Sequence, residues 1–328
     1  DHRDLHSFPT RRSSDLIQIL AKDYTTDMKY IYTKDRPEVG MIQSVEYESK
    51  INGKFTQLSG FFLEKKLDDK IVYPIMQKYG NIETIARYAV DTYKADLPFQ
   101  LGTLNGLGTS IAKQETGAEL GKMLYDMLKT QELSNKVYLD YENATILYEV
   151  YQGIDRTQDQ TANNYVTFSQ DLGSLTNIKF TQDTSNYKNY AIVGGSEYVY
   201  SGDDSYRKGT RYVVVDLSGG GYKKQIYVDD TTESNEEGQL LSDFDSVLYQ
   251  KGVEELLNYL TIESLEFDLV QKTGTQYLVD FDIGDLCDII VSDLGIELQA
   301  RIVEVKEVEK SNMNTIGITL GEPKRRKR

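Results

Sequence analysis

The sequence predicts an α+β fold that is mostly β, with two barrel-like β regions and helices between them. Three observations predict it. Short runs of β-branched and aromatic residues, separated by turn residues, recur towards both ends of the chain. Two stretches in between carry apolar residues at helical spacing. The C-terminal stretch alternates apolar and polar residues through a series of short segments, the pattern of an antiparallel meander.

Residues 1–16 stand apart from this pattern. They have no apolar period, and they are too polar for a secretory leader. The string is similar to the in-frame translation of a short-read sequencing adapter, so it is set aside as a non-native leader. An authentic N-terminus would then be missing before Ile17. The strand signals start there, with residues 17–20, 28–32, 41–48 and 55–63. Asn52-Gly53 is a tight-turn pair between the last two. These hairpins begin a first region, 17–133.

Helices complete that region. Asn81 can cap a helix whose one face holds Ile82, Ile85, Ala89 and Val90. Residues 95–114, with Gly102, Gly106 and Gly108, read as a connecting loop. Thr116 and Glu119 have capping-box spacing. The apolar stripe Leu120, Met123, Leu124, Met127 and Leu128 follows them.

A middle β region, 134–228, opens with a hairpin over 136–151. It continues with strands at 165–168, 177–181, 190–194 and 211–217. A polar insertion is expected at 195–210, where Asp203 and Asp204 mark a turn. Gly219, Gly220 and Gly221 lack the Lys-Ser/Thr ending of a phosphate loop and read as a hairpin turn. The acidic stretch 229–241 reads as a linker, because like charges extend a chain.

The last region, 242–323, begins with a helix after Ser242. It carries Phe244, Val247, Leu248, Val253, Leu256, Leu257 and Leu260, with a kink expected at Gly252. Strands follow at 277–281, 286–291, 295–307 and 315–320. In the third of these the apolar phase is even up to Ile302 and odd at Val303 and Val305. That switch predicts a β-bulge. Cys287 alternates with Ile289 and Val291 and reads as a buried core residue. Residues 324–328 form a basic tail.

Composition narrows the function classes. The chain has 328 residues and a net charge of −15, with one Cys, two His and no Trp. The acidic balance argues against nucleic acid as a partner. No apolar run has the roughly 20 residues of a membrane-spanning helix. His2 and His6 both lie in the leader, so the rest of the chain has no histidine for Ser-His-Asp or Cys-His catalysis. Asp280, Asp282, Asp285 and Asp288 form an acidic run but lack the Gly and Glu positions of a calcium loop. No catalytic, metal or cofactor residue is expected. A carboxylate pair for glycoside hydrolysis needs no histidine, so it stays a remote alternative. The 25 tyrosines suit broad interfaces or simply bulky strands.

Three stretches together resemble a known family. Residues 277–291, 295–307 and 315–321 are similar to the C-terminal end of siphophage tail proteins of the ReqiPepy type. Those carry an aromatic-x-Asp-hydrophobic-Gly-Asp approach to a strand, an Arg-Ile-x-Glu-Val strand and a closing strand that ends in Gly. The resemblance falls on Phe281, Asp282, Gly284, Asp285, Arg301, Ile302, Glu304, Val305 and Gly321. Here Asp282 follows Phe281 directly, one residue fewer than in that pattern. Residues 164–176 with 185–196 resemble the middle of the same family, and 58–74 its early part.

The resemblance implies a structural tail-hub or baseplate-hub protein, with barrel-like hub subdomains and one or more missing N-terminal strands. It implies a ring of copies of the chain, a trimer, with the distal tail protein, tail tip and tube as neighbours. Synthesis would be in the bacterial host cytoplasm and residence in the virion tail. The alternative from another class is a carbohydrate-binding tail-tip or adhesion module.

Overall fold

The computed structural model describes residues 15–20, 23–33, 36–51, 53–201, 204–259, 262–269, 275–310 and 313–325. Residues 1–14 of the leader, Asn52, Asp203, Leu260 and the last three residues of the basic tail lie outside them.

The fold is mostly β. β1 (Asp15–Leu20), β2 (Tyr30–Tyr32), β3 (Val39–Lys50) and β4 (Gly53–Phe62) form an antiparallel sheet in the order β1-β4-β3-β2. Lys50 pairs with Gly53, which already belongs to β4 and takes a φ of 137°. β1 includes Asp15 and Leu16, which pair with Gly60 and Ser59.

β5 (Met76–Asn81) runs into α1 (Ile82–Tyr93), then β6 (Phe99–Leu101), β7 (Ser110–Glu115) and α2 (Leu120–Lys129). β8 (Ser134–Asp140) and β9 (Thr145–Tyr151) form the expected hairpin. Asn81 caps α1: its Oδ1 accepts from the backbone N–H of Glu83 and Thr84. The stripe Leu120, Met123, Leu124, Met127 and Leu128 is buried with the inner face of α1 in a first core.

Two local expectations fail here. Residues 95–114 are not all loop, because β6 pairs in parallel with β9 and β7 pairs with β5. The Thr116–Glu119 spacing makes no capping box. α2 starts only after Glu119, whose side chain accepts no capping bond.

β10 (Thr167–Ser169), β11 (Leu175–Asp183), β12 (Tyr190–Ser201), β13 (Asp204–Asp216) and β14 (Gln225–Ser234) lead to α3 (Leu241–Leu256). β15 (Ile262–Leu269), β16 (Leu286–Val291), β17 (Ile296–Lys310) and β18 (Met313–Arg325) complete the chain. A six-stranded half-barrel sheet, β10-β16-β17-β18-β15-β11, surrounds a second core. A three-stranded sheet, β13-β12-β14, packs α3 against a third.

The strands of 134–228 therefore do not share one core. β8 and β9 bury Val137, Tyr148 and Val150 in the first core, β10 and β11 join the half-barrel, and β12–β14 make the third. Residues 195–201 and 204–210 continue the β12–β13 ladder, out to Ser201 and Asp204. The triple glycine is not a hairpin turn: it carries the chain across to β14, which lies on the other side of β12. Much of the acidic stretch is strand rather than linker, and Asp230 and Glu233 are buried. Residues 277–281 make a turn closed by a Tyr277–Phe281 bridge rather than a strand. Lys324 and Arg325, read as tail, belong to β18 opposite Gln299 and Leu298. The bulge is where the phase switch put it: Ile302 faces Leu320 and Glu304 faces Thr319, so Val303 is the extra residue.

Gly252 does not kink α3, which runs through it unbroken. Its role is close approach. A Cβ there would sit 2.6 Å from Val215 Cγ2 and 2.7 Å from Val193 Cγ2, both on fully buried side chains. In an open helix Gly→Ala gains about 1 kcal/mol. Gly252→Ala should instead cost about 1–3 kcal/mol through overpacking, read as a lower urea midpoint.

Candidate functional site

Six of the nine residues that carry the family resemblance lie where the chain crosses itself. Residues 152–158, leaving β9, pass over the turn 282–285 that leads into β16. Gly153 and Gly284 are the contact point. A Cβ on Gly153 would lie 1.8 Å from the Gly284 carbonyl oxygen, and Gly284 has a φ of 92°. Only glycine tolerates that approach on one side and is at ease with that backbone on the other.

Asp285 fastens the crossing. Its side chain is 3 % exposed. Oδ1 accepts from the Ile154 N–H at 2.7 Å, and Oδ2 from Arg156 Nε at 2.5 Å and the Asp282 N–H at 3.0 Å. The backbone continues the join. The Leu286 N–H donates to Ile154 O at 2.9 Å, and the Arg156 N–H to Leu286 O at 2.8 Å. Asp288, also buried, accepts the Gln158 N–H at 2.7 Å. The two aspartates thus hold a passing segment along the strand that follows them.

β17 supplies the other half. Gly284 donates its N–H to Ile302 O at 2.8 Å, and Ile302 donates to Asp285 O at 2.9 Å. Arg301 reaches back with Nη1 to Gly284 O at 2.6 Å and outward with Nη2 to Glu132 Oε2 at 2.7 Å. Glu132 follows α2, so Arg301 ties the half-barrel to the first core. Arg36 makes a second tie, its Nη2 lying 2.5 Å from Glu307 Oε1 on β17.

Phe281, Ile302 and Val305 are buried in the second core. Phe281 meets Phe168 edge to face, with ring centroids 5.2 Å apart. Gly321 lies opposite Arg301 on β18. Glu304 is farther along β17, and its Oε2 accepts from Thr319 Oγ1 at 3.3 Å. Phe281, Asp282, Gly284, Asp285, Arg301 and Ile302 therefore form one cluster, with Val305 in the core beneath it. Glu304 is set apart from it.

This geometry commits polar groups to the chain itself. The aspartates do not converge on a shared point: Asp280 accepts the Gln276 N–H at 2.7 Å, while Asp285 and Asp288 serve other segments. Among the described residues, no group of three or more His, Cys, Asp or Glu is placed to hold a metal ion. A cleft of about 130 Å³ beside Arg156 is lined by Asn164, Tyr165, Thr275 and Asp280. It is well below the roughly 300–1,000 Å³ of small-molecule sites.

Cys287 is fully buried next to the crossing, and burial pushes its thiol far up. It should resist thiol reagents in the folded chain and label at the ordinary rate once urea unfolds it.

Sequence reading missed Gly153, Arg156 and Glu132. Each joins the crossing through a partner more than 120 positions away, so no local pattern marks it.

Residues 11–322 match the family described as Siphovirus ReqiPepy6 Gp37-like protein. The match begins inside the stretch set aside as a leader. A 43 kDa tail protein of prophage MuSo2 from Shewanella oneidensis has a similar fold, with a TM-score of 0.53 and 12 % identity. The match covers 94 % of this chain and 88 % of that one. A tail protein from Neisseria meningitidis MC58 aligns over 87 % of this chain and 80 % of its own, at 14 % identity and a TM-score of 0.49. Among curated proteins, no sequence matches this chain significantly. Among the described residues, no helix is long and apolar enough to cross a membrane. Matched over residues 11–322, the chain belongs to the Siphovirus ReqiPepy6 Gp37-like protein family.

Proposed function

We propose that this chain is a structural hub component of a phage or prophage tail, assembling as a closed ring between tail tube and tail tip. The observation that carries this reading is a fold shared, over nearly the whole of both chains, with a prophage tail protein. The chemistry of the motif supports it. Asp285, Asp288 and Arg301 spend their polar atoms on holding segments and cores together, which suits a scaffold under load better than a catalyst.

The surface supports it as well. Tyr212 and Tyr227 stand exposed on the sheet formed by β12–β14, and Tyr30, Tyr32 and Tyr47 on the N-terminal sheet. Tyrosine is a residue that interfaces favour. Closed rings of identical copies are a common way for such chains to assemble. The ring order expected is three, and the neighbours are the distal tail protein, the tube and the tip. The chain has no catalytic role in this reading, and its place is the virion tail.

Light scattering on the purified full chain tests the assembly step. A mass of three copies that persists on dilution is expected. A monomer at all concentrations, with no change on adding the neighbouring tail proteins, would contradict it.

A further inference from the structure

The first and third cores meet along β7. Ala112 of that strand packs into the third core, and the next three residues, Lys113, Gln114 and Glu115, are all buried. Lys113 is nearly enclosed between two carboxylates: its Nζ is 2.7 Å from Glu254 Oε2 on α3 and 3.3 Å from Glu115 Oε2. Gln250 donates to Glu254 Oε1 at 3.1 Å.

β14 brings two more carboxylates to the same place. Its pairing with β12 breaks after Asp230 and resumes at Ser234, so a bulge carries Asp230 and Glu233 in towards β7 and α3. Gln114 clasps this bulge, donating to Glu233 Oε2 at 3.0 Å and to Ser234 O at 2.8 Å.

The charges at this joint do not balance. Four carboxylates (Glu115, Asp230, Glu233 and Glu254) face two ammonium groups, Lys113 and Lys251. Lys113 is committed to Glu254 and Glu115, while Lys251 is half exposed and 3.9 Å from Glu115. We propose that Asp230 and Glu233 make this joint a proton-operated latch, closed tighter in mildly acidic medium than at neutral pH. Protonating them removes the excess negative charge and leaves two neutral groups able to donate hydrogen bonds across the seam.

The electrostatics of the buried groups agree. Burial, with repulsion from Glu115 as a further cause, holds both carboxyls above their ordinary range. A carboxyl raised in the folded state contributes stability that is present below its ordinary value and is lost as pH rises through its folded value. Carboxylates held low elsewhere, such as Asp126, Glu149 and Asp216, weaken the fold only below the ordinary carboxylate range. The variant Asp230→Asn/Glu233→Gln keeps every other ionisable group of the chain, so its difference from the unsubstituted chain between pH 5 and pH 8 isolates the joint.

The test is thermal unfolding of the full chain and of Asp230→Asn/Glu233→Gln at both pH values. The unsubstituted chain should gain about 3 °C or more on going from pH 8 to pH 5, relative to the double variant. At pH 8 the variant should be at least as stable as the unsubstituted chain. Equal pH dependence in the two proteins would overturn the proposal. Hydrogen exchange on the unsubstituted chain gives a readout that needs no variant. After correction for intrinsic rates, the amides of β7 and β14 should be several-fold better protected at pH 5 than at pH 8. Unchanged or weaker protection at pH 5 would overturn the proposal even if the double variant failed to fold.

Discussion

Asp285→Ala should lower the stability of the folded chain by about 3–5 kcal/mol, the usual loss when one partner of a buried ion pair is removed. The carboxylate satisfies Ile154, Asp282 and Arg156 at once. Alanine would leave two backbone donors and the Arg156 Nε–H without their acceptor, in a place where little water reaches them. Asp285→Asn should cost less. It keeps the shape and one acceptor oxygen, but turns an NH2 group towards one of the donors. Because the chain has no tryptophan, urea midpoints are best followed by far-UV circular dichroism. A loss below about 1 kcal/mol for alanine, the net worth of one ordinary hydrogen bond, would mean that the crossing is held by its backbone bonds alone.

Gly153→Ala should be comparably severe, at about 3 kcal/mol or more, beyond the usual range of overpacking. The new methyl would meet the carbonyl oxygen of Gly284 at 1.8 Å and its carbon at 2.0 Å, and both atoms are backbone. Gly284 cannot retreat easily. Its N–H is bonded to Ile302 O and its oxygen to Arg301 Nη1, so yielding would pull on β17 as well. Gly219→Ala is the matched control. A Cβ there meets nothing within 4 Å, and only a positive φ opposes it, for about 1–2 kcal/mol. The double variant Gly153→Ala/Asp285→Ala should cost clearly less than the two single losses together. Once the segment has lifted, there is little left for the second change to remove.

Local signals in the sequence marked the elements well and their partners poorly. Asn81 announced the start of α1, and the 3.6-residue stripe from Leu120 to Leu128 announced α2, because both act within a turn or two of chain. The bulge at Val303 was legible for the same reason: a switch in alternation forces an extra residue into one strand. The acidic run 229–237 misled because charge composition takes no account of tertiary partners. Its buried carboxylates face Gln114 and Lys113, more than 110 positions earlier. The Thr116–Glu119 spacing misled because the chain there is still held to Val72 and Lys70 by backbone bonds, which delays the helix. The crossing was half legible. Gly284, Asp285 and Arg301 stood out through the family resemblance, while Gly153 and Arg156 could be found only once the long-range pairing was known.

The most direct test of a tail-hub role is electron cryomicroscopy of intact tails that carry this chain. The expected density is a closed ring of this fold between the tube and the tip, with Arg301 and Asp285 inside each copy and the tyrosine-bearing sheets at its contacts. Density for the chain as a single peripheral copy, or as a fibre-borne module away from the tube, would contradict the hub role and favour an adhesion module instead.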